Sequence, residues 1–278
     1  MDGAEGGRDA GALAGVLADP EADVILAHVA TLVGERGAAA EAHGDGVFAG
    51  SREALAASLG AETAATVSAI GVRGRSVAEG LRRLTEEHPA DLIVVGSHHR
   101  LRSGGHWPAN RTRAILRGAS RPVAIAPHGF AAGRRAPAGV LGVAYDDSPE
   151  AREALLFARA LASETGARIE VVWFVERSNW TGPESRVGWK AVEADRRLAD
   201  LHGVTAVAVE GDAHETRDAL MILAQNVDLL ILGSHHHGLL RRVALGDTVE
   251  GLSQRTPCPL LVAPLARHAS RRSTSATD

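Results

Sequence analysis

The sequence predicts an α/β fold made of two tandem, doubly wound parallel-sheet domains, the first lacking its opening strand. An internal repeat predicts the tandem. Residues 91–99 read DLIVVGSHH and residues 228–236 read DLLILGSHH. The same spacing of 137 positions aligns Arg121-Pro122-Val123-Ala124 with Cys258-Pro259-Leu260-Leu261, and Ala126-Pro127 with Ala263-Pro264. MDGAEGGRDA (1–10) aligns with YDDSPEAREA (145–154) at a spacing of 144. Several matches in one order make the halves homologous copies. Short apolar runs alternating with helix-length stretches predict parallel strands joined by right-handed crossovers. Composition agrees: 45% of the 278 residues are hydrophobic but only 3% aromatic, so the cores rest on Val, Leu, Ile and Ala. These residues suit parallel strands covered on both faces.

The second copy gives the cleaner series. Val140–Tyr145 is a strand, and a helix runs from Pro149 to about Thr165, with Ser148 as N-cap and Pro149 just inside its start. A strand follows at Arg168–Val175, then a loop with Trp180 and Gly182-Pro183 and a helix near Val187–Leu201. Strand Val204–Val209, helix Glu215–Gln225, strand Asp228–Leu232, a helix near Thr248–Gln254 and strand Pro259–Ala263 complete the copy. The first copy repeats this order from its first helix: helix Arg8–Leu17, strand Asp23–Val29, helix Ser51–Leu59, strand Ala65–Ile70. It continues with helix Ser76–Glu87, strand Asp91–Val95, helix Arg111–Leu116 and strand Pro122–Ala126. The domains are therefore drawn at 1–127 and 139–265. Residues 128–138 form a Gly/Ala/Arg/Pro linker, and 266–278 form a polar tail expected to be disordered.

The first copy has no counterpart of Val140–Ala144. Met1-Asp2 stands where Tyr145-Asp146 end that strand. Three outcomes follow: the natural start lies upstream of Met1, the second and fourth strands close on each other, or a damaged domain is held up by the second copy. The first is the expectation, because Met1 falls where an apolar or aromatic strand residue belongs.

Charge and cysteine content narrow the function classes. Formal net charge is -4, and Lys190 is the sole lysine, so no basic footprint for nucleic acid is present. Cys258 stands alone between Pro257 and Pro259 and is read as a small packed side chain in a reducing compartment. The N-terminus is acidic and Gly-rich, unlike a secretory signal, and no apolar run reaches membrane-span length. A cytoplasmic protein is expected.

In open parallel sheets, ligands bind beyond the carboxyl ends of the strands, where strand order switches. In the second copy that place holds Asp146 and the loop Gly233-Ser234-His235-His236-His237-Gly238, continuing to Gly246-Asp247-Thr248 at a helix start. A Gly-rich loop feeding a helix N-terminus offers amide N–H groups to phosphate. No Gly-Lys-Ser/Thr loop occurs, which excludes a P-loop ATPase.

On these residues the chain resembles tandem universal stress proteins, a Rossmann-like, adenine nucleotide α-hydrolase-like group. Their signature is Gly, two residues, Gly, nine residues, Gly, then Ser or Thr. The resemblance runs from Asp2 to about Pro264 and includes the Asp after strand one and the entry Pro257-Cys258-Pro259. It implies that Asp146 and the backbone near Val175 contact adenosine, and that Gly233, His236, Gly246, Asp247 and Thr248 surround the phosphates of ATP. The first copy's counterparts are Asp2, Gly96, His99, Ala109 and Asn110. Both copies depart from the signature. His replaces the second Gly in each, and Asp247 sets a carboxylate where a hydroxyl should meet phosphate, which repels it unless a divalent cation such as Mg²⁺ bridges them. Thr248 offers a substitute hydroxyl.

Plainer readings stand beside these. Asp146 could simply cap the following helix, although Ser148 already fits that task. Trp180 and Trp189 fit packing on a neighbouring helix better than a cover over the site. Adjacent histidines do not readily converge on one ion, so no metal is assigned to His98-His99 or His235-His236-His237. No activated nucleophile accompanies them, and no catalytic residue is assigned. The resemblance implies a nucleotide-responsive binding or regulatory module whose halves pair within one chain through their last strands, with a homodimer of chains left open. The alternative is a scaffold of the same fold that binds no nucleotide.

Overall fold

A computed structural model describes residues 3–19, 21–31, 39–59, 66–97, 114–116, 119–133, 139–176, 204–211, 213–234 and 256–264. The first copy contributes α1 (Gly3–Leu17), β1 (Asp23–Thr31), α2 (Ala39–Leu59), β2 (Thr66–Gly74), α3 (Val77–Glu87), β3 (Ile93–Gly96) and β4 (Val123–Ala126). The second contributes β5 (Val140–Tyr145), α4 (Pro149–Thr165), β6 (Arg168–Glu176), β7 (Val204–Gly211), α5 (Ala213–Ala224), β8 (Leu229–Gly233) and β9 (Leu260–Ala263). The expected helices at 187–201 and 248–254 lie outside the described residues, as does most of that at 111–116.

Sequence chemistry sets the element ends. Ser148 accepts a hydrogen bond from Ala151 N–H (3.1 Å), Pro149 opens α4, and Gly166 ends it at φ 72°. Gly has no Cβ to resist that left-handed backbone. Ser76 caps α3 in the same way, accepting from Glu79 N–H at 3.2 Å. The helix α2 is twelve residues longer at its start than Ser51–Leu59, reaching back to Ala39. Gly44 and Gly46 mask it in the sequence, because Gly is a poor helix former.

Strands β7-β6-β5-β8-β9 lie in that spatial order, each hydrogen-bonded to the next, so the second copy is a parallel sheet with β5 at its centre. Beyond β9 the same sheet continues into the first copy: β4 pairs antiparallel with β9, Ala124 opposite Leu261, and β3 pairs parallel with β4. The last strands thus join the two halves, as the resemblance implies. The sheet has seven strands and two faces. On one, Leu13 of α1 and Leu155 of α4 pack with Ala124, Ala126, Leu141, Val143, Ile231 and Leu261. On the other, Leu220 and Leu223 of α5 pack with Val123, Ile125, Ala144, Leu230 and Val262, while Val77 and Leu81 of α3 pack at its margin. Alternate strand residues feed alternate faces, as the period-2 geometry requires.

The remaining strands, β1 and β2, form a separate two-stranded parallel sheet. Among the described residues no strand stands between β1 and β3. The second and fourth strands of this copy do not close on each other: β1 is hydrogen-bonded to β2 alone and β3 to β4 alone. Closing would draw α1 and α3 off their seats. Gly96, at the end of β3, leaves space for the Gly6 backbone of α1, since a Cβ there would collide with the Gly6 carbonyl oxygen. Gly80 of α3 meets Val29 of β1 in the same close manner.

The linker is not wholly irregular. Residues Phe130–Ala132 form a 3₁₀ turn tied to α1 by buried Asp9, whose carboxylate accepts N–H bonds from Gly129 (3.0 Å) and Ala131 (2.8 Å).

Candidate functional site

The strands of a doubly wound sheet end together, and the crevice opens where successive connections leave in opposite directions. In the second copy β5 is flanked by β6 on one side and β8 on the other, so the crevice lies above the end of β5. Asp146 follows β5 directly. Gly233 ends β8, and Ser234 follows, its N–H donating to the Ala263 carbonyl at 2.7 Å. The Gly233 position admits no side chain, because a Cβ would lie 2.6 Å from the Glu150 backbone carbon in the first turn of α4. The structure therefore brings Asp146, Gly233 and the N-terminus of α4 to one edge of the sheet.

Strand β6 overhangs β5. Pairing between them ends at Tyr145 opposite Trp173, while β6 continues beside β7 to Glu176 opposite Gly211. The backbone of 174–176, Val175 included, thus rises past the end of β5 with no β5 partner. A planar ring with edge donors and acceptors could pair with such a backbone edge.

Immediately after β5 the chain turns sharply. Asp146 Oδ1 accepts from Ser148 N–H at 3.1 Å, so this carboxylate shapes the turn even though Ser148 caps the helix. Asp147 has φ 63°, the one non-Gly residue with positive φ among the described residues. Asp is among the few residue types that adopt it at modest cost. Its Oδ1 accepts from Tyr145 Oη–H (3.2 Å) and from Arg152 Nε–H (3.1 Å) and Nη2–H (2.8 Å). Burial pushes the Tyr145 phenol above its usual range, and the Asp147 carboxylate pushes the Arg152 guanidinium further up. The phenol packs edge-on to Trp173 at 5.1 Å. This Tyr145–Asp147–Arg152 cluster went unassigned in the sequence. Its signal was a pair of aspartates before Ser-Pro, of which only one can follow the strand while the other must take the turn.

Among the described residues the mouth of the crevice carries Asp146 and Asp147, the latter engaged by Arg152, with buried Glu150 in the first turn of α4. Carboxylates repel free phosphate, a repulsion that a divalent cation between them would offset. Among the described residues no cluster of three His, Cys, Asp or Glu could itself hold a metal ion.

Of the other expected residues, His236, Gly246, Asp247 and Thr248 lie outside the described residues, as do Asp2, His99, Ala109 and Asn110. Gly96 is described: it repeats the Gly233 contact, with the Gly6 backbone in the place of Glu150. Among the described residues the first copy does not repeat the wall formed by a central strand. Cys258 is buried beneath β9, its thiol pushed up to about 12 by desolvation, and behaves as the packed apolar residue expected.

Among the described residues no helix is long and apolar enough to cross a membrane. The Usp model, of the universal stress protein family, matches residues 2–127 and again 139–264. No curated protein matches the chain. Among solved structures, the chain is similar to a universal stress protein from Archaeoglobus fulgidus, with 16% identity and a TM-score of 0.60 over 92% of this chain and 90% of that one. It is similar also to a functionally unknown protein from Pseudomonas aeruginosa PAO1, with 16% identity and a TM-score of 0.59 over 88% and 83% of the two chains. At such identities the likeness shows the fold.

Proposed function

This chain belongs to the universal stress protein family, carrying two copies of its domain, and from that premise we propose that its second copy is an ATP-responsive binding module that regulates without catalysing. One observation carries the reading. Asp146, the overhanging backbone near Val175 and the side-chain-free Gly233 meet at the switch point above β5. In this reading Asp146 and the backbone near Val175 take the adenosine part. Gly233, His236, Gly246, Asp247 and Thr248 surround the phosphates. The acidic mouth selects the Mg²⁺ complex over free nucleotide, because the cation offsets repulsion by Asp146 and Glu150. The first copy, with Asp2, Gly96, His99 and Asn110, has no central strand among the described residues, which favours the second as the working site. The protein acts in the cytoplasm.

A second reading is a scaffold of the same fold that binds partners without nucleotide. Asp146 favours it in one respect, since its Oδ1 is engaged by Ser148 N–H.

Calorimetric titration with MgATP separates the two. Micromolar binding by the wild type, lost in Asp146→Ala, supports the module. Heat absent in the wild type but gained by Asp247→Ser means an intact fold whose site is switched off, and supports the scaffold. Release of phosphate or adenylate during the titration would overturn the non-catalytic assignment.

A further inference from the structure

The two aspartates that follow β5 do different work. Asp146 Oδ1 accepts from Ser148 N–H at 3.1 Å, while Asp147 takes the left-handed turn at φ 63°. A side chain at such an angle costs energy, and a short polar one offsets it by bonding locally. Asp147 does so through one oxygen. Its Oδ1 accepts from Tyr145 Oη–H behind it and from Arg152 Nε–H and Nη2–H ahead. Tyr145 is the last residue of the central strand and packs on Trp173, from where β6 rises towards Val175. Arg152 lies one turn into α4, and the start of that helix stands against Gly233 of β8. The Asp147 carboxylate thus ties the end of β5 to a helix seated on β8, and Asp146 lies within the tie.

The first copy is an internal control. At the repeat spacing of 144, Asp2 aligns with Asp146 and Arg8 with Arg152, but Gly3 stands in the place of Asp147. With glycine there, Arg8 lies against α2, where a Cβ on Gly50 would stand 2.8 Å from its Nε. The arginine recurs in both copies, and the tie occurs where the aspartate accompanies it. In the second copy the Arg152 side chain is 59% exposed, and an ion pair so open to water adds little to stability. Its effect is therefore on geometry.

We infer that Asp147, with Arg152 and Tyr145, is a positioning device for ligand recognition in the second copy, holding the 145–148 turn so that Asp146 meets the adenosine part of a nucleotide in one orientation. The inference rests on the ATP-binding reading of this site. Arg152 acts on the ligand through Asp147 and Asp146, without touching phosphate. A carboxylate already fixed loses less freedom on binding than a mobile one. The gain is in affinity for the adenosine part, and it is the same whatever number of phosphates follows.

Calorimetry on the full chain tests this with adenosine, MgADP and MgATP. Wild type is compared with the charge-neutral pair Asp147→Gly and Arg152→Ala, in which glycine keeps the turn without the tie. Kd should rise about fivefold for all three ligands, the worth of one hydrogen-bonded constraint. Asp147→Asn, which tolerates the same φ and accepts the same donors, should recover most of that loss. Exchange of the Ser148 amide, followed by NMR without ligand, should quicken about fivefold in the paired variant. Unchanged affinity in that variant overturns the inference. So does a loss that grows from adenosine to MgATP, which would make Arg152 a phosphate ligand. Unchanged Ser148 exchange overturns it as well, because Asp146 would then be held without the tie. A wild type that binds none of the three ligands overturns the ATP reading instead, and Ser148 exchange still decides whether the tie holds Asp146.

Discussion

The second copy is a closed unit and the first an open one, although nearly every device of the fold occurs in both. The helix after strand one sits against a glycine at the end of strand four in each, Gly6 on Gly96 and Glu150 on Gly233. The second and third strands pair in the same register. The difference among the described residues is a central strand: β5 stands between β6 and β8, none stands between β1 and β3, and β3 is half-exposed while β8 is fully buried. Helix seating and strand pairing are thus local achievements in this fold. Burial is not, because it requires the strand that both halves of the sheet share.

Paired substitutions can break that comparison. The largest effect is expected at Gly233→Val, which should destabilise the second copy by about 3 kcal/mol or more by driving a side chain into the α4 backbone. Gly96→Val should cost less, because β3 is only partly buried where β8 is fully buried. Urea unfolding of both variants measures the gap, and equal losses would show that α1 is held as firmly as α4. Next, Leu230→Ala removes a side chain with no exposed surface and should cost about 2–5 kcal/mol. Its repeat partner Ile93, partly exposed, should cost about half as much in Ile93→Ala.

Smaller again is Asp228→Ala, expected to lose about 1–3 kcal/mol with its two amide bonds. Asp91→Ala, at an exposed carboxylate, should stay within about 0.5 kcal/mol. A comparable loss at Asp91 would mean that it holds a strand.

The smallest effect depends on pH and belongs to the second copy alone, since Cys258 aligns with exposed Arg121. The folded thiol ionises near 12 against an ordinary value of 9.0. Between those values the unfolded chain releases the proton first, so stability is full below about pH 9 and falls as pH rises towards 12. Cys258→Ala should flatten that fall between pH 9 and 11, as melting temperatures in matched buffers would record. An unchanged slope would mean that the thiol is reached by water.

Sequence periodicity was sufficient wherever neighbours were near in the chain. Val140–Tyr145 and Pro149–Thr165 fall at the expected residues, because Ser148, Pro149 and Gly166 mark the helix chemically. β2 was expected at Ala65–Ile70 but runs from Thr66 to Gly74, four residues further. The polar Arg73 obscured its end, and pairing with the equally long β1 sets it. The first dozen residues of α2 were hidden by glycines. Helix α1 is Gly-rich for a different reason: Gly7, Gly11 and Gly15 face Ser51, Leu55 and Ser58 of α2, and a side chain at any of them would collide. Of the candidate site, the places of Asp146 and Gly233 were legible because the first follows a strand and the second ends one. The engagement of Asp146 by Ser148, and the turn at Asp147, depend on backbone angles that composition does not encode.

The antiparallel junction of β4 with β9 has a bearing on how the molecule comes apart. Because Leu13, Ala124 and Ala126 share one apolar cluster with Leu141 and Ile231, and Val123 and Ile125 share the other with Leu230, the duplicated unit and the cooperative unit do not coincide. Most of the first copy's fourth and fifth strands, with α1, belongs to the foldon of the second copy, while β1 and β2 form a small satellite beside it. Dissecting the chain at the repeat boundary would therefore not yield two half-molecules. It would tear one hydrophobic layer down its middle and leave β9 as a bare edge, so the parts made by duplication now outlive one another only together.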